Sequence, residues 1–551
     1  MLCAATLAFV LAVPGAQESA PHAASALILR GGKVWTGVAG APEAQAILIL
    51  GERIEFVGSD AEAAARAPAG ARTFDLLGRR VVPGIVDAHV HFLSGGDTLL
   101  APDLRGARSE EELARRLGES AELVPDGTWL TSGTWDHENW PGARLPTAAV
   151  LDRFTPRHPV FVARLDGHMA VANSLAMRIA GVGKDTADPP GGAIERDGTG
   201  APAGVFKDAA MALIAKHVPA WSAEQRLERA RMALAHAASL GVTSVHDMLD
   251  GHDALATYQE LRRRGELTAR ITLYAPITAH ALWGGLKVQR GFGDAWLRIN
   301  GVKAFADGSL GSTTAWFFEP YADAPGTSGL AQTELKAGGM LDRQLAATLR
   351  DGLQPAIHAI GDRAIRAVLD LAAARAKPAQ RLRLEHAQHI HPDDLPRFAG
   401  LGVIASMQPY HAIDDGRWAE KRIGAERCRT TYAFRSLLDR GAVLAFGSDW
   451  PVAPLSPWEG LYAAVTRRTL DGRNPEGWVP EQRIRLEEAL RAYTAGSAYA
   501  GFAETEVGTL EPGKYADLVV LEPDLFALPA ERLREIAVRI TLVGGRVAHL
   551  R

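Results

Sequence analysis

The feature that most constrains the fold is an alternation. From Val82 onward, short apolar runs, several of them carrying a polar or charged residue at or near the C-terminal end, are separated by longer stretches with helical spacing. The runs fall at 241–247, 269–274, 299–305, 354–358, 382–386, 403–407 and 443–447. Val82, Ile85 and Val86 begin an eighth run ahead of them. Helices are predicted between runs, for example over 222–240 and 254–264. Strands alternating with helices form a parallel sheet, because each parallel crossover needs a dozen or more residues. Eight such units predict an α/β fold, a (β/α)8 TIM barrel, whose working side chains stand at the C-terminal strand ends.

Both ends of the chain read differently. Residues 26–82 hold short strands punctuated by glycine turns, and 501–551 hold a matching set that ends in a hairpin about Gly544-Gly545. Neither end can bury a core alone. The expectation is one composite β-sandwich from 26–82 plus 501–551, with a barrel over 83–500 inserted between. The gap from the first strand to the second is far longer than one crossover, so 97–221 is predicted to be an insertion subdomain. Within it, strands are predicted over 128–132 and 159–163 and a short helix over 147–154. An insertion after a barrel strand lies on the functional face.

Composition narrows the function class. The net charge of −4 gives no basic excess for binding nucleic acid. Two cysteines, Cys3 and Cys428, make no disulfide framework. No run of 18 uninterrupted apolar residues follows the N-terminus, so no membrane span is predicted. Residues 1–16 are apolar and lead into a small-residue stretch, which predicts a secretory signal peptide and export to the periplasm or medium. They lack the basic residue that usually precedes such a segment, and without a working signal the chain stays cytoplasmic.

The chemistry begins at Asp87-Ala88-His89-Val90-His91. Residues two apart on a strand face the same way, so His89 and His91 converge at a strand's C-terminal end. Alone, such a pair is more often one packed and one solvated imidazole. Four further placements change that balance. Lys303, His358, His386 and Asp449 each close a predicted barrel strand, where they would ring one mouth. Lysine and aspartate are rarely buried without partners.

With these residues in place, the chain resembles the amidohydrolase superfamily of metal-dependent hydrolases. His89-x-His91 on the first strand, Lys303, His358, His386 and Asp449 carry the match, with the entry motif 83–91 and the C-terminal motifs 508–514 and 516–519. It is most similar to the YtcJ-like branch, which includes N-substituted formamide deformylases. Gly133-Thr134-Trp135-Asp136-His137, Asp166-Gly167-His168, Asp307-Gly308-Ser309, Gly361-Asp362 and Gly447-Ser448-Asp449-Trp450-Pro451 carry that likeness.

The resemblance implies a hydrolase acting on an amide-type C–N bond of a small molecule through a metal-bridging hydroxide. Lys303, carboxylated by CO2, would bridge two divalent ions. His89, His91 and Asp449 would complete one site, and His358 and His386 the other. Asp449 would be the general base. Nitrogen and oxygen donors suit Zn2+ and admit Mn2+, Fe2+ or Co2+.

Three alternatives stay open: a mononuclear deaminase, an esterase of the same superfamily, and a non-catalytic binding protein on the barrel scaffold. Trp135 and His168 are candidate substrate contacts. His246 and Asp247 end the second strand and are weaker candidates. Asp362 and Arg363 are expected to cap a helix, and Glu385 is expected to point away from the site. Neither the substrate nor the oligomeric state is encoded in these motifs, and a homo-oligomer is compatible with them.

Overall fold

The computed structural model describes residues 26–249, 251, 253–332 and 334–551. The expected signal segment 1–16 lies outside them.

The alternation resolves into eight parallel strands: β1 (Ile85–Val90), β2 (Val242–Met248), β3 (Arg270–Pro276), β4 (Leu297–Phe305), β5 (Gln354–Ala359), β6 (Arg383–His386), β7 (Ile404–Met407) and β8 (Leu444–Phe446). Each pairs in parallel with the next. The ring closes at its C-terminal rim. Val90 bridges Trp450, the Asp449 amide donates to the His89 carbonyl at 2.7 Å, and the His91 amide donates to the Trp450 carbonyl at 2.8 Å. The seam that shuts the barrel therefore joins two of the residues singled out for chemistry.

The strands read as near-continuous apolar runs because helices cover their outer face. Ala223–Ser239 is one of these helices. It begins at a Ser222–Gln225 capping box and buries Leu227, Ala230, Ala233, Leu234 and Ala237. Asp362–Arg375 is capped by Gly361, not by Asp362 or Arg363. The Asp362 carboxylate instead accepts the Phe318 amide, and Arg363 lies over the Trp316 ring.

The two chain ends share one sheet. Arg80–Pro83 pairs antiparallel with Leu518–Glu522, which continues through Ala537–Val543 to Arg546–Leu550. A second sheet, built from Arg53–Gly58, Ala46–Leu50, Ala26–Arg30 and Arg72–Asp75, packs on it through Leu29, Ile47, Val81, Leu518, Val520 and Leu542. A buried pair, Arg270 Nε to Asp517 Oδ2 at 2.6 Å, ties this layer to barrel strand β3.

Between β1 and β2 lies a four-stranded antiparallel sheet in the order Gly192–Arg196, Pro202–Asp208, Met169–Ala172, Phe161–Ala163, with the helices Glu110–Ala121 and Ala148–Phe154. The strand predicted over 128–132 does not form. Only Leu130 makes a bridge, to Val160, and the flanking residues leave the sheet.

Candidate metal centre

The strand-end residues meet. His89 Nε2 lies 3.4 Å from Asp449 Oδ1, His91 Nε2 lies 3.5 Å from the same oxygen, and Lys303 Nζ is 3.2 Å from His89 Nε2. The His386 ring is 4.8 Å from that of His89 and 4.5 Å from that of His358. Ligand atoms of His89, His386 and Asp449 all fall within 4.8 Å of one another.

Local backbone explains how two of these side chains reach the centre. His386 and Asp449 adopt φ of 71° and 60°, a left-handed conformation that side chains other than glycine rarely take. Such strain persists where surrounding structure over-determines it, as at functional sites. On β6, Arg383 and Glu385 face the barrel interior. The turn at His386 then breaks the alternation and swings the imidazole into the mouth. Glu385, expected to point away, is instead fully buried beneath the site, 2.6 Å from His89 Nδ1.

That contact is one of three that fix imidazole tautomers. His89 Nδ1 donates to Glu385, His386 Nδ1 donates to Gln408 Oε1 at 2.8 Å, and His358 Nε2 donates to the Gly308 carbonyl at 3.0 Å. In each ring the other nitrogen is left with its lone pair. Burial pushes His89, His358 and His386 well below the usual imidazole range, helped at His89 by the Lys303 cation. That direction favours the neutral imidazole, the form able to ligate a metal. Asp449 Oδ1 is buried among them without a hydrogen-bond partner. A buried carboxylate oxygen is costly in that state, and a cation at this point would satisfy it.

Deeper residues hold the frame. Glu385 is gripped by Arg383 at 2.8 Å, and Arg383 also donates to His246 Nδ1 at 2.9 Å and Ser406 Oγ at 3.0 Å. Asp87 Oδ1 accepts the amides of His89 (3.1 Å) and Ser448 (2.9 Å), clamping β1 to the loop that carries Asp449. Burial pushes the Asp87 carboxyl up to about 7 against the pull of those amides. Asp247 accepts the Phe92 amide and the Tyr258 hydroxyl. His246 thus supports the centre from below, while Asp247 also lines the cavity.

The centre opens into a cavity of about 780 Å3 whose wall includes His168, Phe161, Phe305, Leu310 and Trp418, within the size range of small-molecule sites. His168 lies 4.9 Å ring to ring from His358. Burial would lower its pKa, but Asp208, at 2.7 Å from Nδ1, raises it and favours an imidazolium. Trp135 is not on this wall. It is fully buried in the insertion's own core, stacked on Trp140, with its indole N–H donated to the Val162 carbonyl. Its neighbour Asp136 does reach the wall, paired to the buried Arg164 at 2.7 Å.

The amidohydrolase family matches residues 72–549. The chain belongs to that family. This amidohydrolase is similar to the N-substituted formamide deformylase of Arthrobacter pascens, at 30% identity over 533 residues, covering 91% of this chain and 94% of the relative. It is also similar to the protein LONG AFTER FAR-RED 3 of Arabidopsis thaliana, at 38% identity over 538 residues, covering 94% and 91%. A metal-dependent hydrolase from Pyrococcus horikoshii superposes with a TM-score of 0.75 at 29% identity, covering 92% of this amidohydrolase and 99% of that chain.

Arg383 and His411 have no place in the sequence expectations, and Glu385 is placed there facing away from the site. Gln408 directly follows β7, where strand-end residues face the mouth, whereas His411 stands on the helix Pro409–Asp415.

Proposed function

We propose that this amidohydrolase cleaves an amide-type C–N bond of a small molecule, of the kind found in N-substituted formamides, at a two-metal centre. His89, His91 and Asp449 would hold one divalent ion and His358 and His386 the other, with Lys303 bridging as its carbamate. The observation that carries the reading is the unsatisfied Asp449 Oδ1 among imidazoles whose tautomers are already set. When bound, the ions supply Lewis acidity that activates water and polarises a carbonyl. Asp449 takes the proton of the attacking water and delivers it to the leaving nitrogen as the C–N bond breaks. The apolar wall excludes bulk water and seats the organic part of the substrate.

A mononuclear centre is the second reading. The tight His89–His386–Asp449 group favours it, since those three donors alone could hold one ion. Metal stoichiometry separates the two: about two ions per chain support the bridged centre, and full activity with one refutes it.

The chemistry is tested by loading the protein with divalent metal in bicarbonate and screening amides, N-formyl amines, cyclic imides and esters. Turnover confined to C–N substrates supports the proposal, and turnover confined to esters corrects it. A chain that takes up no metal and stays inert would be a binding protein on the barrel scaffold.

A further inference from the structure

One buried donor near the centre has no place in that scheme. His411 stands on the helix Pro409–Asp415, immediately after β7, and lines the cavity. The residue is 7% exposed and its ring lies parallel to that of His386, with centroids 6.4 Å apart. The Gln388 side-chain amide nitrogen, 3.5 Å from His411 Nδ1, can only donate to it, and the Nε2–H tautomer is the one that accepts this bond. Nε2 makes no hydrogen bond. It lies 3.9 Å from Asp449 Oδ2, too far to bond but near enough that one substrate group spans both.

A buried donor left unsatisfied is costly, so the ligand is expected to bring the acceptor. An amide offers one. Its nitrogen lone pair is delocalised into the C–N bond, so the carbonyl oxygen is the acceptor. We infer that His411 is a further catalytic residue: its Nε2–H donates to the carbonyl oxygen of the scissile bond and strengthens as that oxygen gains negative charge. This rests on the proposed amide hydrolysis. No proton is transferred from His411, and the leaving nitrogen is served by Asp449. The hydrogen bond is made chiefly in the transition state, so its loss falls on kcat more than on KM.

The test compares the metal-loaded parent with His411→Phe and His411→Gln on whichever substrate the screen returns. His411→Phe keeps the metal content and loses about 100- to 1,000-fold in kcat, with KM changed by no more than about 3-fold. His411→Gln, which keeps an N–H donor, recovers about 10-fold or more of that loss. Parental kcat in His411→Phe, or metal loss in both variants, overturns the inference. If the parent hydrolyses no amide, the functional proposal has failed, and calorimetric binding of formate to the zinc-loaded protein decides His411 separately. Binding weakened in His411→Phe retains it as an acceptor-binding donor, and equal binding overturns it.

Discussion

Glu385→Gln tests how the floor of the barrel serves the centre. The parent carboxylate meets two demands at once: Oε2 takes the His89 Nδ1 proton at 2.6 Å, and Oε1 takes the Arg383 Nε proton at 2.8 Å. An amide has one acceptor and one donor end. If its oxygen faces Arg383, its N–H faces His89 Nδ1 and drives the ring proton to Nε2, the nitrogen needed as ligand. If its oxygen faces His89, its N–H opposes a guanidinium. Loss of such an orienting partner lowers metal affinity by about 10- to 100-fold, or about 1.4–2.8 kcal/mol. The change also leaves the fully buried Arg383 without its counter-charge, which costs about 3–5 kcal/mol of stability. The Ala88 carbonyl, Ser406 and His246 still accept from Arg383, which places the expected loss near the lower end. Competition with a chelator reads affinity, and thermal melting of the metal-free protein reads stability. Adding Arg383→Met to Glu385→Gln restores part of the stability but not the affinity, because the buried charge is gone and His89 is still misdirected. Parental metal affinity in Glu385→Gln would refute this reasoning.

Gly447→Ala should lower metal content without unfolding the chain, because a Cβ there would stand 2.5 Å from the His89 amide nitrogen and 2.7 Å from Asp87 Oδ1. Elemental analysis of the purified variant checks it. Lys303→Ala should abolish turnover, and added acetate or propionate should restore part of it by supplying the missing carboxylate, read as kcat against acid concentration. Asp415 predicts a pH effect on stability. Burial, with the Asp414 charge adding and the Tyr432 hydroxyl opposing, raises its carboxyl from 3.8 to about 7. The folded state therefore holds the proton more tightly than the unfolded state. The stability from this group is complete below about pH 4 and is lost as pH rises through 7. Asp415→Asn, which still accepts from Tyr432, should raise the melting temperature at pH 8 relative to the parent and leave it nearly unchanged at pH 4.

The barrel was legible because its strands are buried on both faces, leaving apolar runs such as Val302 and Ala304 on β4, which flank Lys303, or Ala356 and Ile357 on β5, which lead into His358. The candidate residues that meet at the mouth were legible for the same reason, since a His, Lys or Asp at the C-terminal end of such a run faces the barrel mouth. Glu385 was misread because strict alternation assumes an extended backbone, and His386 turns left-handed at that point. Trp135 was misread because an aromatic beside Asp136 and His137 resembles a pocket wall, and only the fold reveals that Val162 satisfies its indole. The stretch 128–132 has strand-forming side chains but finds a neighbour only at Leu130, so propensity had no sheet to act through. His411 was missed because it stands a turn into a helix, where the mouth of the barrel is visible only in three dimensions.

The proposed reaction is hydrolysis of a C–N bond by water. Turnover of the best amide or N-formyl amine in H2 18O, followed by mass spectrometry of both products, tests it most directly. One 18O is expected in the released carboxylate and none in the amine, with loss of the reaction when metal is stripped. A product carboxylate without the label, or turnover that persists in the metal-free protein, would contradict it.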